Sequence, residues 1–168
     1  LAYFFYYSPA SEKKAKLRLE ALRFIPPLSL IPLLILWLGI GEAAKLSIVF
    51  LASFFPIYLN VFSGFKQIDK SYKELAFMLR LNRMERFKHI EFPASLPNIF
   101  TGLRLGFGYS WRALVGAELI AASSGLGYLI GDAGEMSRTD KVFVGILCMA
   151  VLGVLGDQLF QLFGKRLT

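Results

Sequence analysis

Residues 46–65 of this chain read LSIVFLASFFPIYLNVFSGF, a stretch of 20 residues without a charged side chain. A helix needs about 20 mainly apolar residues to cross the hydrocarbon core of a bilayer. Residues 24–41 form a second uncharged stretch, of 18 residues. Both stretches predict transmembrane helices, and Pro26 and Pro27 predict a kink near the entrance of the one at 24–41.

Two more apolar regions lie in the second half of the chain. Residues 93–120 are interrupted by three charged side chains, and residues 142–164 are interrupted only by Asp157. We predict a span in each. Residues 1–7, LAYFFYY, lack a basic n-region and resemble the end of a truncated span, not a signal peptide. The sequence therefore predicts an all-α membrane protein with one transmembrane domain, residues 1–168, that is truncated at its N-terminus.

The overall composition agrees with this class. Hydrophobic residues make up 55% of the chain, charged residues make up 18%, and the mean hydropathy is +0.54. A soluble domain carries about 25% charged residues, so this chain has too little polar surface to cover its apolar side chains in water. A soluble enzyme is nearly excluded. The single cysteine, Cys148, cannot form an internal disulfide, and we expect it to pack as a small apolar residue.

The basic residues are distributed unevenly about the predicted spans. Blocks before the first full span, after the second and at the end of the chain hold fourteen of the 19 Lys and Arg residues: Lys13, Lys14, Lys16, Arg18, Arg23, Lys66, Lys70, Lys73, Arg80, Arg83, Arg86, Lys88, Lys165 and Arg166. The opposite connections hold three: Lys45, Arg138 and Lys141. Since cytoplasmic loops are enriched in basic residues, segment 8–23, loop 66–91 and the C-terminus are predicted to be cytoplasmic. The charge then serves topology and contact with membrane lipid, and we expect no nucleic-acid partner.

The 66–91 loop and the start of the next span read KQIDKSYKELAFMLRLNRMERFKHIEFPASLP over residues 66–97. The pattern predicts two short helices. Asp69 or Ser71 can cap the first, and Asn82 with Glu85 has the spacing of a capping box for the second. Asn82 is the expected corner. Apolar residues at helical spacing predict a stripe beside basic side chains, which suits docking to another protein: Phe77, Leu81, Met84 and Phe87.

Four residues of this loop carry a family resemblance. Glu74, Ala76, Ile90 and Pro93 have the spacing of the motif E-A-A-x(3)-G-x(9)-I-x-L-P, the cytoplasmic signature of ABC importer permeases. The stretches ALRFIPPLSLIPLLILWLGIGE, FFPIYLNVFSGF, TGLRLGFGYSW and AELIAASSGLGYLI also resemble the nitrate, sulfonate and taurine branch of these permeases. The resemblance covers essentially the whole chain.

The resemblance implies a type I ABC importer permease-like transmembrane helix bundle in which loop 66–91 is a coupling helix set in a cleft of the ATPase. Residues at that contact would be Lys73, Glu74, Ala76, Phe77, Arg80, Leu81 and Asn82, and the end of the loop would be Ile90, Pro93 and Pro97. The sequence departs from the motif at Leu75, Arg80 and Phe92. Because glycine at the position of Arg80 permits a sharp turn, we expect the turn to move to Asn82 and the guanidinium to point outward. Pro93 and Pro97 are expected to fix how the loop moves the span.

The resemblance also implies the partners: cytoplasmic ABC ATPase subunits, a second permease subunit, expected to form a homodimer, and an extracytoplasmic solute-binding protein. The chain has no G-x-x-x-x-G-K-[ST] phosphate loop, so no cofactor is expected on it, and ATP and Mg would be used by the ATPase. The location implied is the bacterial or archaeal plasma membrane. The implied solute is a small organic or inorganic anion such as a sulfonate or nitrate, or a vitamin precursor. Segment 123–135 is expected outside, as a docking surface for the binding protein or as a re-entrant loop.

Charged and aromatic residues in the 93–120 span are candidates for the solute pathway. Arg112 can attract an anion, and Tyr109, Trp111 and Glu118 can line the same route. The alternatives are snorkelling or an interhelical ion pair for the charged groups and packing for the aromatic ones. Gly102 and Gly106, in G-x-x-x-G spacing, are expected to pack helices closely, since small residues let backbones approach.

Two other function classes remain beside the permease. A membrane scaffold could use the basic hairpin to recruit a cytoplasmic partner without transport. An integral membrane enzyme is a weaker hypothesis, because no catalytic constellation is found. His89 has no Cys or His neighbour at metal-ligand spacing, so a surface or interfacial position is expected for it.

Overall fold

The computed structural model describes residues 2–7, 19 and 21–167, which leaves most of the predicted basic segment 8–23 outside the described part. Among the described residues the chain is helical and contains no strand, which confirms the predicted all-α class. The helices are α1 Ala2–Tyr7, a 3₁₀ turn Pro27–Leu30, α2 Ile31–Leu38, α3 Glu42–Lys66, α4 Lys70–Met78, α5 Arg83–Arg86, a π-helical turn Phe87–Glu91, α6 Phe92–Ala121, α7 Leu126–Glu135 and α8 Thr139–Leu167.

Two of the predicted spans are helices that are long and apolar enough to cross a bilayer. α3 contains the whole of predicted span 46–65, and α8 contains predicted span 142–164. Each helix extends past its predicted span at both ends, because charged residues near the interface continue a helix without entering the hydrocarbon.

Predicted span 24–41 differs from what the structure contains. Its helical part consists of a 3₁₀ turn of 4 residues followed by α2, with 8 residues. This is shorter than the roughly 20 residues that a straight crossing needs. Proline at the start lacks the N–H that an earlier turn requires, and Gly39 ends α2 with a φ of 78°. The uncharged stretch is therefore long enough, but its helix is not.

Predicted span 93–120 corresponds closely to α6, which runs over 30 residues. Polar and charged side chains lower its mean hydropathy, so α6 is apolar enough for a membrane span only when it is taken together with α7. The two helices meet at a bend of 44°. The expected outer segment 123–135 thus contains a helix, α7, in a geometry that suits a broken span or a re-entrant element.

α3 and α6 pack along their lengths through glycines of α6. A Cβ atom added at Gly102 would lie 2.9 Å from the Cβ of Asn60, and one at Gly106 would lie 2.7 Å from the Cγ1 of Ile57. Both distances are below ordinary carbon–carbon contact. The packing role predicted for the G-x-x-x-G pair is confirmed.

The described core is small and lies where α2 crosses α3 and α6. Its buried members are Ile31, Ile48, Ala52, Ala113 and Ala117. α8 packs on α7 and α6 through Gly145 and Gly156, against Ile130 and Phe107. Most large apolar side chains of α8 are exposed, as expected for a helix whose outer face meets lipid.

Candidate functional site

The 66–91 loop folds as the predicted pair of short helices, and Asp69 caps the first. Its Oδ1 accepts hydrogen bonds from the backbone N–H of Ser71 at 2.8 Å and from the Ser71 hydroxyl at 2.9 Å. These bonds, the backbone one first, hold the pKa of Asp69 below its ordinary value of 3.8. Of the two predicted caps, the structure therefore selects Asp69.

The second helix of the loop begins with the predicted capping box. Asn82 Oδ1 accepts from the Glu85 N–H at 2.9 Å, and Glu85 Oε2 accepts from the Asn82 N–H at 2.9 Å. Asn82 has extended backbone, with φ of −69° and ψ of 169°. It starts α5 but does not reverse the chain.

The reversal occurs at Arg80, so the expectation that the turn would move to Asn82 is wrong. Arg80 has a φ of 51°, in the left-handed region that favours glycine. Its N–H donates to the Phe77 carbonyl at 3.0 Å, and the Leu81 N–H donates to the Ala76 carbonyl at 3.1 Å. This is a Schellman motif. Its two hydrogen bonds hold an arginine in the conformation that the motif glycine would adopt, and the Arg80 side chain is exposed.

The α4–α5 hairpin presents apolar side chains on its outer face. Phe77 is 85% exposed and Met84 is 71% exposed, while Ala76 is buried. The predicted stripe is divided, because Leu81 is half-buried and Phe87 packs against Phe65 with ring centroids 6.3 Å apart. Further exposed residues of the hairpin are Tyr72, Glu74, Leu75, Met78 and Leu79. The Lys73 side chain lies outside the described part.

The loop ends in a π-helical turn that the sequence did not predict. The Phe92 N–H donates to the Phe87 carbonyl, an i to i+5 bond. Arg86 Nε donates to Glu91 Oε1 at 2.7 Å, and the Glu91 side chain is only 1% exposed. Ile90 is half-buried beside this pair, while the two loop-end prolines are exposed in α6: Pro93 and Pro97.

The candidate pathway residues of α6 do not form one cluster. Arg112 and Tyr109 are both exposed, and the guanidinium carbon of Arg112 lies 5.6 Å from the centroid of the Tyr109 ring. Trp111 packs against α8, because a Cβ at Gly153 would lie 3.1 Å from its Nε1. Arg112 and Tyr109 thus share one surface. Trp111 instead packs between helices, which was the alternative to a place in the solute pathway.

Glu118 lies at the break between α6 and α7. Its Oε2 accepts a hydrogen bond from the N–H of Gly127, in the first turn of α7, at 2.9 Å. A carboxylate at a helix N-terminus satisfies an N–H that has no partner within the helix and complements the helix dipole. A Cβ at Gly127 would lie 2.6 Å from the Cβ of Glu118. The structure therefore gives Glu118 a structural role, which is to stabilise the bend between α6 and α7.

An ion pair that the sequence analysis did not predict joins α6 to α8. Arg104 donates from Nε and Nη2 to the two carboxylate oxygens of Asp157, the second at 2.7 Å. Gln161 Nε2 also donates to Asp157, at 2.9 Å. The available signal was that each ion interrupts a predicted span, where an unpaired charge is costly.

The end of the described structure that contains the α6–α7 break has an open cavity of about 630 Å³ between α7 and α8. Part of its lining belongs to segment 123–135, which is expected to face the binding protein, and the rest belongs to the start of α8 and the turn before it. Its polar lining includes Ser123, Ser124, Asp132, Asp140 and Lys141. The described residues hold no group of three or more His, Cys, Asp or Glu side chains that could bind a metal, and His89 is exposed on the loop.

Comparisons with known proteins match the sequence of this chain to one family. The family model described as "Binding-protein-dependent transport system inner membrane component" matches residues 6–168. The chain is 42% identical over 149 residues to an aliphatic sulfonates transport permease from Bacillus subtilis (strain 168), covering 89% of this chain and 54% of that protein. It is 38% identical over 150 residues to the taurine transport system permease of Escherichia coli (strain K12), with coverage of 89% and 54%.

A nitrate import permease from Synechocystis sp. (strain PCC 6803) is 34% identical over 139 residues, which covers 83% of this chain and 50% of that protein. The chain spans about half the length of these relatives. The family match extends over the spans, the capped hairpin and the helix break described above. The chain therefore belongs to the family of binding-protein-dependent transport system inner membrane components.

Proposed function

We propose that this chain forms part of the solute pathway of an ATP-driven importer and couples that pathway to a separate ATPase through loop 66–91. The observation that carries the proposal is the exposed apolar face of a hairpin whose helix ends are capped. Exposed side chains such as Phe77 and Met84 are poorly solvated at the protein surface, and a partner groove would bury them. Loop 66–91, with the C-terminus, would lie on the cytoplasmic side.

Both ends of the hairpin are anchored in the bundle, which suits it to transmit movement. Phe65, at the end of α3, packs against Phe87 in the π-helical turn before α6. A displacement of the hairpin by the ATPase would therefore act on α3 and α6 together. ATP-driven closure of two ATPase subunits would bring two hairpins together and turn the pathway outward, and hydrolysis, with Mg in the ATPase, would reset it.

The solute class is proposed from the relatives and from one charged surface. Three relatives are named for sulfonates, taurine and nitrate, all of them anions or carriers of an anionic group. Arg112, beside Tyr109, supplies a positive charge on an exposed face of α6. A small anion fits this charge best, and a vitamin precursor is the second candidate. An extracytoplasmic binding protein would deliver the solute to a dimer of permeases.

The docking proposal is tested by co-purification of the permease with the ATPase encoded beside it. Phe77→Asp should abolish co-purification, because a carboxylate would replace the most exposed apolar side chain of the hairpin. Met136→Asp is the matched control, since Met136 is also exposed but lies after α7, away from the loop. Equal retention of the ATPase by both variants would contradict the proposal.

Transport itself is tested by uptake in cells that lack the chromosomal permease. Labelled sulfonate uptake should return with the wild-type gene and should be competed by other small anions. Arg112→Gln should raise the solute concentration needed for half-maximal uptake, and an unchanged value would remove Arg112 from the pathway. Intact uptake in the deletion strain, with an unrelated partner on the hairpin, would favour the scaffold.

A further inference from the structure

The junction between loop 66–91 and α6 contains a partly buried ion pair, with only Glu91 fully buried, whose geometry depends on a rare backbone turn. Arg86 and Glu91 are five residues apart, and their side chains meet at 2.7 Å. In a regular α-helix, side chains five residues apart point about 140° away from each other. The π-helical turn closes i to i+5 hydrogen bonds and brings such a pair onto one face. The ion pair therefore requires this turn.

The surroundings hold the pair in place. Glu91 is 1% exposed and Ser95, one turn later, is completely buried. The ring of Phe87, the first residue of the turn, lies 4.6 Å from that of Tyr3 in α1 and 5.8 Å from that of Phe92. A buried carboxylate is costly unless it is paired and hydrogen-bonded. Removal of the Arg86 charge would thus raise the cost of keeping the Glu91 carboxylate buried at this site.

Resolution of the π-helical turn into α-helix would change the orientation of the hairpin. A π-helical turn contains one residue more than the corresponding α-helical turn, so its resolution into α-helix would rotate the preceding segment by about 100° relative to α6. The rotated segment includes α5 and the exposed face of the hairpin. The turn thus determines the orientation in which the hairpin meets its partner.

We propose that the Arg86–Glu91 pair locks the π-helical turn and thereby sets the orientation of the α4–α5 hairpin relative to α6 during ATP-driven transport. The inference rests on the proposed function of loop 66–91 in coupling. Arg86 and Glu91 are positioning residues: they contact each other and not the solute. Loss of either charge uncouples hairpin movement from α6 while the docking face, which is formed by other residues, stays intact.

The test uses the complete transporter, permease with ATPase and binding protein, in vesicles. Arg86→Gln, Glu91→Gln and the double variant are compared with Lys88→Gln, an exposed charge in the same turn. ATPase co-purification should be unchanged in all four. The number of solutes imported per ATP hydrolysed should fall about tenfold in each single variant, the size of a typical coupling between sites. The loss in the double variant should be smaller than the product of the two single losses, because the shared interaction is lost only once.

Amide hydrogen exchange provides a second measurement on the same samples. The Phe92 amide, which closes the π-helical turn, should exchange faster in both single variants and should keep its wild-type rate in Lys88→Gln. A wild-type import ratio in the single variants, or a double variant whose loss is the product of the two, would overturn the lock. Loss of the ATPase from Glu91→Gln would also overturn it, by assigning the pair to folding. A wild-type permease that fails to bind the ATPase would instead sink the proposed function.

Discussion

Arg80 illustrates how local hydrogen bonds can impose a conformation that the side chain disfavours. Its φ of 51° lies in the left-handed region, where a Cβ atom crowds the backbone. The Schellman bonds from Arg80 and Leu81 back to α4 require that conformation. Ser137, at the end of α7, is a second case, with a φ of 55° and the same pair of bonds. At both positions the helix end determines the backbone, and the residue adapts.

Arg80→Gly should stabilise the hairpin, by about 1 kcal/mol, because glycine adopts this conformation without steric penalty. Amides of α4 should exchange more slowly in detergent-solubilised permease. Arg80→Ala is the control, since it removes the charge and keeps the Cβ; its exchange rates should stay near those of the wild type. Faster exchange in Arg80→Gly would contradict the interpretation.

Asp69 should make the first helix of the hairpin sensitive to acid. Because the pKa of Asp69 is lower in the folded chain than in the unfolded one, its cap stabilises α4 above the ordinary pKa of 3.8. The stabilisation is lost as the pH falls through the lowered folded-state value. Exchange of the Ser71 amide, corrected for its intrinsic pH dependence, should accelerate below pH 3.8. Asp69→Asn keeps a cap that cannot ionise, and an equal acceleration there would exclude Asp69 as the cause.

At the scale of elements, the helix bounds depend on where backbone groups are satisfied, and hydropathy alone does not determine them. The uncharged stretch 24–41 has a length suited to a span, yet its helix is confined to Pro27–Leu38 by proline at one end and Gly39 at the other. α6 shows the reverse relation. It is longer than a span needs and carries charges, two of which have partners in α7 or α8: Glu118 and Arg104.

Gly102→Ala should destabilise the packing of α6 on α3 by about 1–3 kcal/mol, since an added methyl group has to displace well-packed neighbours. The nearest are Asn60 and the backbone of Ile57. Gly108→Ala, in the same helix, is the control, because a Cβ there meets nothing within 4 Å. Unfolding in mixed micelles should separate the two variants. Equal stability of both would show that α6 does not pack on α3 through this glycine.

At the scale of the whole molecule, the two ends of the described bundle differ in their content of basic residues. The capped hairpin and the end of α8 lie at the basic end, and the α6–α7 break lies at the other. The ion pair of Arg104 and Asp157 ties α6 to α8 between them. Among the described residues few large side chains are fully buried, because much of the apolar surface of the bundle faces lipid instead of a core.

The topology predicts opposite reactivity for two engineered cysteines in a Cys148→Ser background. Lys88→Cys lies on loop 66–91, which we propose to be cytoplasmic, and should react with a membrane-impermeant maleimide only after the cells are permeabilised. Met136→Cys, exposed after α7, should react in intact cells. The positive-inside rule is the physical basis. The reverse pattern would invert the assigned orientation, and reaction of both in intact cells would exclude it.

The sequence by itself determined the all-α membrane class and the capped hairpin, because these depend on composition and on residues within four positions of one another. The capping box of Asn82 and Glu85, for example, needs only these two residues at the start of α5. The sequence also determined the family motif, which is a fixed spacing along the chain. Tertiary structure decided the rest. The Arg86–Glu91 pair needs a π-helical turn that no local preference announces, and the partners of Arg104 and Glu118 depend on helix register and on the bend after α6. Such contacts are set by how whole helices pack, and packing is a property of the fold and not of any single segment.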